Sequence, residues 1–400
     1  MVSYSHQAEC IGSAPREWRI WTTALLVMAV FVLSNSATPL YVSWQQELGF
    51  SNGTITLIFA AYIVGLLATL LVAGQLSDRY GRKPVLFPGL AAAVLACVLF
   101  ITASSVATLL LARLLSGIAV GVMVSAGMAS VMDVGGSARR HTASLAASVA
   151  MVLGAGLGPL LSGILGELLT RPLVPLFGTQ LLLLASAFAV AGSLPRRRVP
   201  ARHNEWRLRM PSVPKVNQMH LALGIAVFAP GISSTSFILS LGPSLLKKLL
   251  DVSSPLVSGG MACLMFLSAT GVQFLLKNRS IRSQFLMSTA SVFLAMLCMA
   301  IAVWTSTVAP LVLAAMLAGV GQGLGQLGGL TLIGLHVPEH RRAEANAVLN
   351  IGGYIPAAIL PVCTGFLIDY TGLAVGATSF AVILTTVAMI AAGVVSVKLR

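Results

Sequence analysis

Between two long apolar runs the chain reads Gly74-Gln75-Leu76-Ser77-Asp78-Arg79-Tyr80-Gly81-Arg82-Lys83. Asp78, Arg79, Arg82 and Lys83 crowd four formal charges into a few residues. Charge this dense cannot lie in hydrocarbon, where one charged side chain costs roughly 2.5–3.5 kcal/mol on insertion scales. The stretch therefore predicts a tight loop at a membrane surface, joining two membrane-crossing segments. Basic residues alone suffice to orient such a loop. Gly74, Asp78 and Gly81 are more than orientation needs.

The remainder of the chain agrees. Of 400 residues, 57% are hydrophobic and 9% charged, with a mean hydropathy of +0.92. This is not the composition of a water-soluble domain. Apolar runs of about 20 residues recur, each long enough to cross about 30 Å of hydrocarbon. With no water there to satisfy the backbone, each run must be a helix. Twelve spans are expected, near 20–42, 53–75, 85–104, 107–131, 142–165, 173–194, 219–242, 253–276, 284–304, 308–334, 346–368 and 373–397. The first follows Arg16 and Arg19, as a signal peptide would. It is too long for one and lacks a small-residue cleavage site, so it reads as an uncleaved span.

The net charge of +14 raises the question of nucleic acid. Placement answers it. With the N-terminus inside, all Lys and Arg residues except Arg113, Arg171, Lys247 and Lys248 fall on the cytoplasmic side. The excess is a membrane-orientation signal, with both termini cytoplasmic and the chain in the inner (plasma) membrane. Anionic lipid is the other partner such clusters imply. The cysteines at 10, 97, 263, 298 and 363 form no close pair and no metal spacing. No nucleotide-binding loop, metal motif or nucleophile elbow appears, so neither an enzyme nor a bound cofactor is expected.

The longest polar segment divides the spans six and six. It predicts an N-terminal six-helix bundle over 1–194, a cytoplasmic linker over 195–218 and a C-terminal six-helix bundle over 219–400. The halves look duplicated. At an offset of 202, Arg139-Arg140 falls on Arg341-Arg342, Pro159 on Pro361, Gly163 on Gly365, Glu167 on Asp369 and Ser51 on Ser253. Parallel repeats around a central pathway are a transporter architecture.

The pattern G-x-L-x-D-R-x-G-R-K resembles the loop between helices 2 and 3 of the major facilitator superfamily. The resemblance implies a conformational gate at Gly74, Asp78, Arg79, Gly81, Arg82 and Lys83. Asp133, at the cytoplasmic end of span 4, is expected to pair with Arg79 or Arg82. Such a cluster would lock the outward-facing state and separate when the cytoplasmic side opens. Arg113-x-x-x-Gly117 resembles the second signature of the family, on helix 4, and implies proton transfer or cavity polarity. Arg113 is expected to face the central cavity as its fixed charge. A snorkelling arginine is the alternative. Gly154, Gly158, Pro159 and Gly163 resemble the third signature, which marks antiporters and drug exporters. Their small surfaces also let helices approach closely.

Asn35, Gln322 and Gln326 are the candidate polar residues of the pathway. Gln322 and Gln326, four apart, share one helix face. None of the eleven acids is placed mid-membrane, which leaves proton coupling without an obvious carrier and disfavours strongly cationic substrates. The expectation is an all-α integral membrane protein of twelve helices in two pseudo-repeated bundles. It acts as a monomeric secondary transporter that exports small amphiphilic compounds by alternating access, with proton antiport as the coupling to test. A facilitator or symporter importing a metabolite is the alternative.

Overall fold

The protein is described by a computed structural model covering residues 17–195, 215–249, 251–252, 254–338 and 341–399. Among the described residues regular structure is entirely helical. The helices are α1 (Glu17–Ser36), α2 (Tyr41–Leu48), α3 (Asn52–Tyr80), α4 (Arg82–Ile101), α5 (Val106–Val122), α6 (Met128–Gly135), α7 (Arg140–Leu168), α8 (Leu173–Ser193), α9 (Gln218–Leu249), α10 (Pro255–Leu276), α11 (Ile281–Thr305), α12 (Val308–His336), α13 (Arg342–Thr371) and α14 (Leu373–Lys398). They make up twelve spans long and apolar enough to cross a membrane. Most of the linker expected over 195–218 lies outside the described residues.

Two spans are composite. The first is α1, a 3-10 turn at Thr38–Leu40 and α2. Pro39 in that turn has no N–H to continue the α-helical ladder. The fourth is α5, a π turn at Met123–Gly127 and α6.

The opening stretch departs from the expected loop. α3 continues through Asp78 and Arg79 to Tyr80, and α4 begins at Arg82, so Gly81 alone separates them. Gly81 has φ 91°, a backbone conformation that residues with a Cβ rarely adopt. The charges therefore sit on helix ends, where rigid backbone can pair them. Several other spans also outrun their apolar cores. The first reaches Leu48 rather than 42, and α9 reaches Leu249 rather than 242. Apolar content marks the hydrocarbon-spanning part of a helix, not its polar ends.

The first six spans (α1–α8) and the last six (α9–α14) pack mainly among themselves. Across the halves, α7 packs on α10 and α3 on α13. Glycine makes these crossings tight: a Cβ on Gly163 would lie 2.6 Å from the Pro255 carbonyl oxygen, and one on Gly53 the same distance from the Phe366 ring. In hydrocarbon such close packing replaces the hydrophobic effect as the force between helices.

The duplication is visible in three dimensions. Arg139 and Arg341 precede α7 and α13 as their N-cap residues. Gly163 on α7 and Gly365 on α13 each meet the opposite half. The serine correspondence shifts by one. Ser51 caps α3 by accepting from Thr54 N, whereas α10 is capped by Ser254, which accepts from Val257 N. Ser253 lies outside the described residues.

Candidate functional site

A cavity of about 360 Å³ lies between the halves. The first half contributes Phe31, Ser34 and Asn35 from α1, Phe59 and Tyr62 from α3, and Ser148 and Met151 from α7. The second contributes Thr235 and Ser236 from α9, Phe266 and Gln273 from α10, Gln322 and Gln326 from α12, and Tyr354 from α13. Asn35, Gln322 and Gln326 thus line one space. Asn35 Nδ2 donates to Ser34 Oγ at 3.2 Å, which leaves its carbonyl oxygen to the cavity. Gln273 Nε2 donates to the Gly323 carbonyl at 3.1 Å and ties α10 to α12 along the wall. Aromatic rings and neutral amides together suit a ligand with a flat apolar body and a few polar atoms.

Arg113 does not line this cavity, contrary to expectation. It is 0% exposed and lies one layer behind. Its Nη1 donates to the Ser34 carbonyl. Its guanidinium carbon stands 5.3 Å from the Tyr41 and Phe59 ring centroids and 5.4 Å from that of Tyr62. Ser34, Phe59 and Tyr62 all line the cavity, so the arginine supports its wall. Nε and Nη2 are buried with no hydrogen-bond partner. Full burial excludes the snorkelling alternative. Gly117, one turn along, lets α5 press against the Tyr62 carbonyl of α3, and this holds Arg113 close to the rings.

Lys277 lines the mouth of the cavity, at the C-cap of α10. Position alone puts it in a surface loop, and an exposed lysine at a helix end carries no sequence sign of facing a cavity. Phe31, Phe59, Phe266 and Tyr354 also escape sequence reasoning. An aromatic residue inside an apolar run looks the same whether it faces a cavity or lipid.

At the end bearing the chain termini, Arg82 gathers two carboxylates. Its Nη1 donates to Asp78 Oδ1 at 2.8 Å and to Ser77 Oγ at 2.9 Å, and its Nε to Asp133 Oδ2 at 3.0 Å. Lys83 Nζ donates to the Gly192 carbonyl at 2.6 Å, while Arg79 stacks on the Tyr80 ring. Gly74 has open space where a Cβ would be, so packing does not explain it. These residues sit on α3, α4, α6 and α8, all in the first half. Among the described residues the cluster is thus drawn from the first half, with Asp78, Arg82 and Asp133 held on helices that pack together there. A recess of about 580 Å³ beside it is bordered by Tyr80, Phe87 and Pro195.

Among the described residues, the hydrogen bonds that cross between halves lie at the opposite, far end. Asp369, near the end of α13, accepts from the backbone N–H groups of Asn52 and Gly53 at 2.9 Å each and from Asn52 Nδ2 at 3.1 Å. A carboxylate at the start of α3 also meets the positive end of that helix dipole. Glu167, its repeat counterpart on α7, accepts from Ser254 Oγ at 2.7 Å. Lys248 Nζ reaches Asn52 Oδ1 at 3.4 Å. Sequence reasoning matched Glu167 to Asp369 but missed their contacts. The third-signature residues divide between two neighbours. Gly154 and Gly158 admit α1, whereas Pro159 and Gly163 meet α10 of the other half.

Solved structures share this fold. A point mutant of the nucleoside transporter NupG superposes with a TM-score of 0.75 over 96% of this chain and 100% of its own, at 13% identity. A bacterial homolog of the human lysosomal transporter Spinster, inward-facing and unoccupied, gives 0.71 over 96% of this chain and 97% of its own, also at 13%. At such identity the likeness establishes fold alone. Among sequences, the multidrug efflux protein YfmO of Bacillus subtilis (strain 168) is 28% identical over 185 residues, 46% of each chain. The multidrug resistance protein MdtL of Escherichia coli O81 (strain ED1a) is 32% identical over 137 residues, 34% of each. The chain spans about half the length of the first of these relatives and a third of the second. The model of the Major Facilitator Superfamily matches residues 20–361 and 282–400. With twelve membrane-length helices in two pseudo-repeated bundles around a cavity, the chain belongs to the Major Facilitator Superfamily of transporters.

Proposed function

We propose that the protein exports small amphiphilic compounds by alternating access, with the cavity between the halves as the substrate site. The observation that carries this is the lining: aromatic rings and neutral amides from both halves around one space of about 360 Å³. Relatives named for multidrug efflux support the outward direction. The end bearing the termini is assigned to the cytoplasm because the basic residues concentrate there. On that assignment the cavity opens inward and the Asp369 and Glu167 contacts close the outer side. The bundles divide at 194 and 219, and the transporter works as a monomer. The Arg82 cluster braces the inner end of the first bundle, and the second bundle moves against it.

The test is retention of fluorescent amphiphiles in cells lacking and overproducing the protein, with and without an uncoupler. Lower retention on overproduction, abolished by the uncoupler, supports proton-driven export. Higher retention on overproduction refutes export in favour of uptake. Topology is tested by an impermeant thiol reagent on engineered cysteines. Thr170 and Asp251, both exposed, should react from outside, and Arg82 only after the cells are opened. The reverse pattern refutes the assignment.

A further inference from the structure

We infer that the cavity selects organic anions, aromatic carboxylates above all, and disfavours permanent cations. The inference rests on that cavity being the substrate site.

Three observations carry it. First, no carboxylate lines the cavity among the described residues, while Lys277 does, at the mouth. Second, the fully buried Arg113 has no carboxylate within ion-pair distance among the described residues, and its Nη1 donates to the neutral Ser34 carbonyl. Tyr41, Phe59 and Tyr62 offer it ring faces, which solvate a cation without cancelling its charge. Third, Phe59 and Tyr62 are shared between arginine and cavity, so a formal positive charge stands one ring layer behind the wall.

A ligand atom against those rings would lie about 9 Å from the guanidinium. At an effective dielectric of about 20, one unit charge at that distance changes affinity by about 20-fold. The change favours an anion and opposes a cation. Little salt reaches a layer this buried, so the preference should survive high ionic strength better than a surface effect would. Gln322 and Gln326 supply amide N–H donors for a carboxylate without adding charge. Lys277 raises the local concentration of anions at the entrance.

The experiment uses one aromatic body with three head groups: 1-naphthaleneacetate, 1-naphthaleneacetamide and (1-naphthylmethyl)trimethylammonium. Each is titrated calorimetrically into the purified full chain in neutral detergent at pH 7. The expected order is acetate tightest, amide next and ammonium weakest, with at least about tenfold between the acetate and the ammonium. Lys277→Gln, at an exposed position where folding is not at risk, should reduce the acetate preference several-fold. Arg113→Gln should reduce it further. If that variant fails to fold, the order of the three probes on the unaltered chain still decides. Equal binding of all three, or tightest binding of the ammonium, overturns anion selectivity and leaves the cavity as a binding site. Absence of binding by any of the three at millimolar concentration overturns both the selectivity and the assignment of the cavity.

Discussion

Asp369→Asn should loosen the far end. The carboxylate takes three N–H groups: two from the first backbone amides of α3 and one from the Asn52 side chain. An asparagine keeps one acceptor oxygen but turns an NH2 group toward the remaining donors, and it loses the charge that favours a helix N-terminus. Charge-assisted hydrogen bonds are worth about 1.5–3 kcal/mol and the dipole about 0.3–1 kcal/mol. Asp369 is exposed, so solvent screening discounts both. A net loss of about 1–2 kcal/mol remains, which shifts the ratio of far-end-closed to far-end-open molecules by roughly 5- to 30-fold. The counterpart Glu167→Gln gives up one hydroxyl contact and keeps an acceptor, so its shift should be near twofold. The assay is the distance distribution between spin labels on Arg171→Cys and Tyr370→Cys in lipid nanodiscs. A longer-distance population should grow in Asp369→Asn and barely change in Glu167→Gln. An unchanged distribution in Asp369→Asn, or a larger shift from Glu167→Gln, refutes the latch.

Three further outcomes are expected. Gly81→Ala places a Cβ at φ 91° and should lower the melting temperature in detergent by several degrees, about 1–2 kcal/mol of strain, measured against Gly74→Ala, where space is open. Arg82→Ala removes the cation that Asp78 and Asp133 share; it should cost about 1–2 kcal/mol of stability, and the loss should be smaller when Asp133→Asn is already present, which thermal unfolding of the single and double variants checks. Gly163→Val would drive a side chain into the Pro255 carbonyl, so the far end should fail to close and transport in reconstituted vesicles should fall at least tenfold at equal expression.

The fold was legible because the bilayer leaves a sequence few choices. Length, apolar runs and the placement of basic residues suffice for twelve helices, and the repeat at offset 202 pointed to two related bundles. The lining of the candidate cavity was legible in part. Asn35, Gln322 and Gln326 line the cavity because a polar side chain inside an apolar helix needs a polar space or a partner. Arg113 showed why such reasoning stops short. Its cost in hydrocarbon said that it must be sheltered, but three aromatic rings shelter it as well as water would. Asp78, Arg82 and Asp133 were visible as a charge cluster. That Asp78 and Arg82 sit on helix ends and not in a loop depends on the single-residue junction at Gly81, which no charge pattern reports.

α3 touches every part of this machine. It starts in the grip of Asp369, passes Phe59 and Tyr62 at the cavity wall, and ends in the Arg82 cluster. From Asn52 to Asp78 it is one unbroken helix of about 39 Å, at 1.5 Å per residue. Near its midpoint Gly65 lies against the α5 backbone at Leu114 and Ile118, and Gly117 of α5 lies against Tyr62. The helix is thus a balance beam resting on a glycine pivot. A tilt of about 5° about that pivot moves each tip by roughly 1.7 Å, enough to break a 2.9 Å hydrogen bond. A molecule that wedges against Tyr62 pushes beside the fulcrum, where a small displacement at the beam becomes a large one at the tip held by Asp369.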